Sequence, residues 1–164
     1  MKKSRLKITT LTAALLILWG SSAWATLAQF DFGDAPESYT TLLGDDGARH
    51  MIFGISNLLL GSAIDAEEDG QPNGSASGDD FSNLNDDDGI GFTTPLVQGK
   101  TAGISVLANG SAFLSAWIDF NQDGAWDDPG EQIFTDQAIT GGTNNLVFDI
   151  PAAALLGSTY ARFR

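Results

Sequence analysis

The chain has 164 residues, with 21 Asp+Glu against 8 Lys+Arg and a formal net charge of −13. It has no cysteine and one histidine, His50, which excludes disulfide staples and thiolate zinc sites and leaves little for zinc or copper. An excess of negative charge this large repels nucleic acid and anionic membranes, whereas abundant carboxylate, Asn and backbone oxygens suit a hard cation such as calcium.

MKKSRLK opens the chain with four bases, ITTLTAALLILWG follows as an apolar core, and SSAWA closes in small residues. This is the layout of a secretory signal peptide over 1–25, cleaved after Ala25. The apolar run is nearer 13 residues than the roughly 20 that span a bilayer, and it holds three threonines. The expected mature protein is secreted or at the cell surface, with no membrane segment. The leader takes four of the eight bases and none of the 21 acids, so the remainder carries four bases against 21 acids, a net charge of −17.

Residues 26–88 read as an acidic, loop-rich segment. DFGDAPESY, GDDGARH, DAEEDGQPNGSASGDD and NDDDG concentrate the residues of turns. Only 51–60, with seven apolar residues in ten, predicts a strand that docks on something. His50, beside Arg49, reads as a loop hydrogen-bonding residue rather than a catalytic base.

Residues 89–164 predict short strands. Gly89–Phe92 and Ile104–Ala108 come first, and Asn109-Gly110 then fits a type I′ hairpin turn. In Phe113–Phe120, Leu114, Ala116, Ile118 and Phe120 alternate with Phe113, Ser115, Trp117 and Asp119, as in a strand with one buried face. Gln132–Ile139 is a further strand. Leu146, Phe148 and Ile150 alternate in the next, and Thr159–Arg164 places Ala161 and Phe163 opposite Arg162 and Arg164. ALLG after Pro151 suggests a helical turn, and Tyr160 a corner tyrosine. The expected fold is all-β, an antiparallel β-sandwich of the Ig-like or Greek-key type. The chain stops inside its last strand candidate, which suggests a fragment of a longer protein, incomplete at the C-terminus of its sandwich domain.

The loop DFNQDGAWDDPGEQIF places Asp119, Asn121 and Asp123 at positions 1, 3 and 5 of a calcium-loop pattern. Gly124 stands at the sharp turn, Ala125 offers a backbone carbonyl at position 7, and Asp127 sits at position 9. Position 12 is Gly130, with Glu131 one place later, so Asp128 or Glu131 would supply the closing carboxylate. No helical periodicity flanks the loop, which argues for a calcium loop between two strands rather than an EF-hand. The alternative is an Asx-rich turn that binds no ion. A second acidic set, Asp65, Glu67 and Asp69 before Gly70 with Asp86 and Asp88 further on, reads either as a second metal cluster or as a solvated linker.

DFGDAPESY, GARH, DAEEDGQP, GDD…NDDDGIGF, AWIDFNQDGAWDDPGEQIF and TYARFR, in this order, resemble the GEVED-domain segment of secreted bacterial surface proteins. The resemblance implies a β-rich module in multidomain extracellular proteins, without a defined catalytic activity. It maps the family's acidic loop onto Asp119, Asn121, Asp123 and Glu131. It also implies that the chain ends before the acidic stretch for which the family is named.

The expected function is that of a calcium-stabilised extracellular structural or adhesion module, not an enzyme, with divalent cations and surface glycans or host and matrix proteins as partners. One alternative is a carbohydrate-binding module using Trp117 and Trp126 as stacking platforms. Another is a glycoside hydrolase with paired carboxylates. The acids, however, lie in polar loops rather than apolar pockets.

Overall fold

The computed structural model describes residues 29–52, 58–64, 66–78 and 87–164. The expected leader lies outside them, as do Asp65 and Asp86. The described strands are β1 (Gln29–Phe32), β2 (Arg49–Ile52), β3 (Ile90–Phe92), β4 (Thr101–Ala108), β5 (Ala112–Ile118), β6 (Gln132–Ile139), β7 (Gly142–Asp149) and β8 (Ala161–Phe163). Among the described residues no helix is long and apolar enough to cross a membrane.

The protein is an all-β sandwich. One sheet has the order β3-β4-β7, the other β6-β5-β8, and every pairing within them is antiparallel. β1 and β2 form a separate two-stranded ribbon. The core lies between the two larger sheets. Ala102, Ile104, Val106 and Ala108 of β4 meet Leu114, Ala116 and Ile118 of β5, with Phe134, Ile139 and Phe148 alongside. The alternation that predicted a buried face on β5 is the one observed, since Leu114, Ala116, Ile118 and Phe120 are all buried. Each large side chain moved from water into that core contributes about 1.5–3 kcal/mol.

Asn109-Gly110 is not a hairpin turn. β4 pairs with β3 and β7, and β5 with β6 and β8, so the dipeptide carries the chain from one sheet to the other. Neither residue has the positive φ that a type I′ turn requires. Burial decides the outcome. β4 and β5 each carry an apolar face, and the two faces bury one another only when the strands lie in opposed sheets. The Asn109 side chain instead accepts the Leu59 N–H at 2.8 Å.

Three further expectations are corrected. ALLG after Pro151 is not a helical segment: a turn at residues 152–153, closed by Ala154 N–H to the Pro151 carbonyl at 3.1 Å, leads into it, and Leu155 N–H donates to the Phe120 carbonyl at 2.7 Å. Tyr160 is not a corner tyrosine, because its hydroxyl donates to the carbonyl of Gly74 at 2.7 Å rather than to a near neighbour. His50 lies in a strand, opposite Asp31 in the β1–β2 ribbon, not in a loop. The ribbon is joined by its antiparallel ladder and by Arg49 of β2 over the Phe30 ring of β1 at 5.5 Å, while Phe30 and Phe32 make an edge-to-face contact along β1, ring centroids 6.4 Å apart.

Ile118 is 1% exposed, whereas Phe113, on the opposite face of β5, is 71% exposed. Ile118→Ala is expected to cost about 2–5 kcal/mol. Phe113→Ser should stay within about 0.5 kcal/mol of the parent. Denaturant unfolding of the two variants checks the inward and outward assignment. Equal losses would refute it.

Candidate functional site

β5 ends at Ile118 and β6 begins at Gln132, so residues 119–131 form the loop between two paired strands. Ile118 N–H donates to the Glu131 carbonyl at 2.9 Å and closes the loop's base. This registration places Asp119 and Glu131 together at the mouth of the sandwich. Both are buried, with exposures of 0% and 3%.

Asp119 organises the first half of the loop. Its Oδ2 accepts from the Tyr39 hydroxyl at 2.6 Å and from Gly124 N–H at 3.0 Å, and its Oδ1 from Gln122 N–H at 2.5 Å. The backbone turns sharply beneath it, with φ of 58° at Gln122 and 88° at Gly124. A Cβ at Gly124 would lie 3.0 Å from Ser38 Oγ, so glycine is needed both for the turn and for the contact.

Asn121, Asp123 and Asp128 come together at the exposed rim. The Asn121 side-chain Nδ2 donates to Asp123 Oδ2 at 3.1 Å and to Asp128 Oδ2 at 2.6 Å, and so bridges two carboxylates. Asp123 N–H returns to Asn121 Oδ1 at 3.1 Å, and Ala125 N–H donates to Asp123 Oδ1 at 3.0 Å. Asp127 is exposed.

Glu131 is the electrostatic anomaly. Its Oε1 accepts from Phe120 N–H at 3.0 Å and Asn121 N–H at 3.4 Å. Its Oε2 is buried with no hydrogen-bond partner. Burial raises the Glu131 pKa above its ordinary value, and the Asp119 charge pushes the same way.

An aromatic cluster covers the site. Tyr39, from the short turn Glu37–Tyr39, stacks on Trp126 at 4.4 Å and lies 5.2 Å from Tyr160. The Arg162 guanidinium sits 3.9 Å from the centre of the Trp126 ring and donates to the Tyr39 carbonyl at 2.9 Å. Burial, helped by Arg164, pulls the Arg162 pKa down to about 10, which leaves it charged at neutral pH. Burial, followed by the hydrogen bond to Asp119, raises the Tyr39 pKa above 10. Sequence reasoning missed Tyr39. The only signal was an aromatic residue inside the otherwise polar DAPESY.

The second acidic set does not converge in its described part. Glu67 Oε2 accepts Phe32 N–H at 3.0 Å, Asp69 Oδ1 accepts Leu43 N–H at 2.6 Å, and Asp88 is held by Ser62 at 2.8 Å through the backbone and 2.5 Å through the hydroxyl. The Ser62 hydrogen bonds also lower the Asp88 pKa. Among the described residues, no three carboxylate or histidine side chains form a ready metal cluster. Nor do Trp117 and Trp126 form an open two-indole platform, since Trp126 is engaged by Tyr39 and Arg162, and Arg164 lies 5.5 Å from the Trp117 ring.

Residues 113–164 match the GEVED domain, a module of the extracellular type. The matched span holds the whole 119–131 loop and β8. It runs through Arg164, the last residue, which conflicts in part with the expectation that the chain stops short of the family's naming stretch. No curated protein and no solved structure matches the chain.

Tyr39→Phe keeps the ring stack and deletes one donor to a buried carboxylate. The expected loss is about 1–3 kcal/mol. The raised Tyr39 pKa also sets a sign. Its contribution is complete below the ordinary tyrosine pKa of 10 and fades as the pH climbs past that value toward the folded pKa. Unfolding curves at pH 7 and above pH 10 check both points. A variant as stable as the parent at both pH values would contradict them.

Proposed function

We propose that this chain is a non-catalytic extracellular module, structural or adhesive, whose 119–131 loop is completed by a divalent cation, calcium by preference. The observation that carries this reading is the Glu131 Oε2 atom, buried and without a donor, in a carboxylate next to the equally buried Asp119. Two buried carboxylates side by side are costly unless a positive charge joins them. The donor set is all oxygen, as calcium prefers. Asp119, Asn121, Asp123, Asp128 and Glu131 are the residues that would hold the ion, with the Ala125 carbonyl and Asp127 available at the rim. The Asn121 amide, bridging Asp123 and Asp128, already occupies the place between two carboxylates that a cation would take over. Turning that amide over would present its oxygen in place of its nitrogen.

The magnitude suits a structural role. At a dissociation constant of about 10⁻⁵ M and external calcium near 10⁻³ M, binding adds roughly 2.7 kcal/mol. That is a substantial share of the roughly 5–15 kcal/mol that holds a small domain together. Export through the 1–25 leader, cleaved after Ala25, belongs to the same proposal. Surface glycans or matrix proteins are the partners an adhesive role would require.

Calcium titration followed by thermal melting tests the reading. Millimolar calcium is expected to raise the Tm relative to chelator, and Asp123→Ala to remove most of the gain. Identical melts in calcium and chelator would overturn it. The Glu131 shift supplies a second check. Its folded pKa is raised, so its contribution is present below the ordinary glutamate value of 4.5 and is lost as the pH rises through the folded pKa. In chelator, Glu131→Gln should therefore gain stability relative to the parent as the pH rises above about 4.5. In calcium that advantage should vanish.

A further inference from the structure

The dipeptide Asn-Gly occurs twice in the chain, at Asn73-Gly74 and Asn109-Gly110. An Asn before Gly is open to attack by its own backbone, because a residue without a Cβ lets the next peptide nitrogen approach the side-chain amide. The two copies have different surroundings.

Asn73 begins a turn that Ala76 N–H closes on the Asn73 carbonyl at 3.3 Å. The Asn73 side-chain Oδ1 accepts three hydrogen bonds: Ser75 N–H at 2.8 Å, the Ser75 hydroxyl at 3.0 Å and Ser77 N–H at 3.2 Å. Two of these donors are backbone N–H groups, which only an acceptor can meet, so the amide turns its oxygen toward them. With the Ser75 proton on Asn73, the Ser77 hydroxyl, 2.9 Å away, is the donor between the two serines. Among the described residues, neither Asn73 Nδ2 nor Gly74 N–H has a hydrogen-bond partner.

The frame around the turn is fixed. Asn73 N–H donates to the Asp34 carbonyl at 3.1 Å, Gly78 N–H to Asp34 Oδ2 at 2.8 Å, and the Tyr160 hydroxyl to the Gly74 carbonyl at 2.7 Å. Gly74 is exposed, with nothing within 4 Å of the place a Cβ would take. Asn109 is held differently. Its Oδ1 accepts the Leu59 N–H at 2.8 Å, and a Cβ on Gly110 would lie 3.2 Å from Leu58 Cδ1.

Three donors on one carbonyl oxygen are the arrangement that stabilises the oxyanion of acyl transfer. We propose that Asn73-Gly74 is a self-modification site, at which the turn 73–77 converts Asn73 to aspartate with water as the co-reactant. Gly74 N gives its proton to water and bonds to Asn73 Cγ. The charge that gathers on Oδ1 is met by the N–H groups of Ser75 and Ser77 and by the Ser75 hydroxyl. The Cγ–Nδ2 bond then breaks, and ammonia leaves with a proton taken from water, so that a five-membered imide remains. A water adds at Cγ, the bond from Cγ to Gly74 N breaks, and a proton returns to that nitrogen. In sum, one amide and one water give one carboxylate and one ammonium ion. The new carboxylate inherits the same three donors, now charge-assisted, and adds one negative charge to the chain's −13. The site shares no residue with the 119–131 loop and does not rest on the calcium reading.

The test ages the full folded chain in calcium buffer near neutral pH and follows a gain of about 1 Da by peptide mass spectrometry. Trypsin separates the two sites, since cuts after Arg49, Lys100 and Arg162 place Asn73 in 50–100 and Asn109 in 101–162. Asn73 is expected to convert at least about ten-fold faster than Asn109 in the same molecules, and faster in the folded chain than in one unfolded by guanidinium. Ser75→Ala deletes one donor at an exposed position, so it should slow Asn73 about ten-fold with the melting curve unchanged. Gly74→Ala, whose methyl meets no neighbour, should slow it by a similar factor through hindered attack. Equal rates at Asn73 and Asn109 would overturn the proposal. So would faster conversion in the unfolded chain, which would make the three donors a clamp, or an unchanged rate in either variant.

Discussion

The buried hydrogen bond from the Tyr39 hydroxyl to Asp119, 2.6 Å long, is the constraint on which the rest of the structure depends. It joins residues eighty positions apart and brings the N-terminal segment onto the mouth of the sandwich. Asp119 is fully removed from solvent, so its charge must be met by donors. Gln122 and Gly124 offer their backbone N–H groups only because the chain takes positive φ at both. The loop's shape is thus the geometry that solvates one carboxylate. Tyr39 supplies the donor that the loop cannot, and its ring then covers Trp126 and draws Arg162 across the indole.

The β5 face was legible because alternation is a direct consequence of pleating. Leu114, Ala116, Ile118 and Phe120 needed no partner information to be assigned inward. Gln132–Ile139 was legible as a strand but not as an alternating one, since its buried residues, Phe134 and Ile139, fall out of phase across a register shift. Asn109-Gly110 was misread because the turn rule is local, whereas the choice between one sheet and two is made by which apolar faces bury each other. β1 was invisible: Gln29–Phe32 is a short strand whose pairing to β2 rests on the ladder and on Arg49 over Phe30 rather than on a sequence pattern. In the loop, the alternating Asp119, Asn121 and Asp123 were readable from spacing. Their division of labour was not, because Asp119 turns inward to solvate a turn while Asn121 bridges Asp123 to Asp128 at the rim. Glu131 owes its burial to its place just before β6, where its carbonyl accepts the Ile118 N–H and closes the loop, a property of pairing that no spacing rule encodes.

Charge is distributed so that neither Asp119 nor Glu131, both buried, has an ion pair among the described residues. Arg49 pairs with Asp46, 3.1 Å apart and at the surface, where such pairs contribute little. The base nearest the aromatic cluster, Arg162, is committed to the Trp126 ring and a backbone carbonyl rather than to Asp119 or Glu131. A chain with so few bases cannot neutralise its interior acids with side chains. The remaining means are backbone N–H groups, a proton on Glu131 or an external cation. The first is fully used by Asp119 and half used by Glu131.

The loop and the β8 edge are mechanically one unit. Asp119 N–H donates to the Tyr160 carbonyl, and the Thr159 hydroxyl donates to the Asp119 carbonyl, so the residue that organises the loop also fixes the entry of β8. Arg162, two residues further on, returns to the cluster above the loop. Any event that orders the loop therefore also orders the start of β8. Loosening the loop would cost β8 its hydrogen-bonded start before it cost the core anything, because the core's weight lies in β4 and the middle of β5. The acidic loop thus fixes the entry of β8 directly, through the backbone N–H and carbonyl of Asp119, while the carboxylate of the same residue holds the loop.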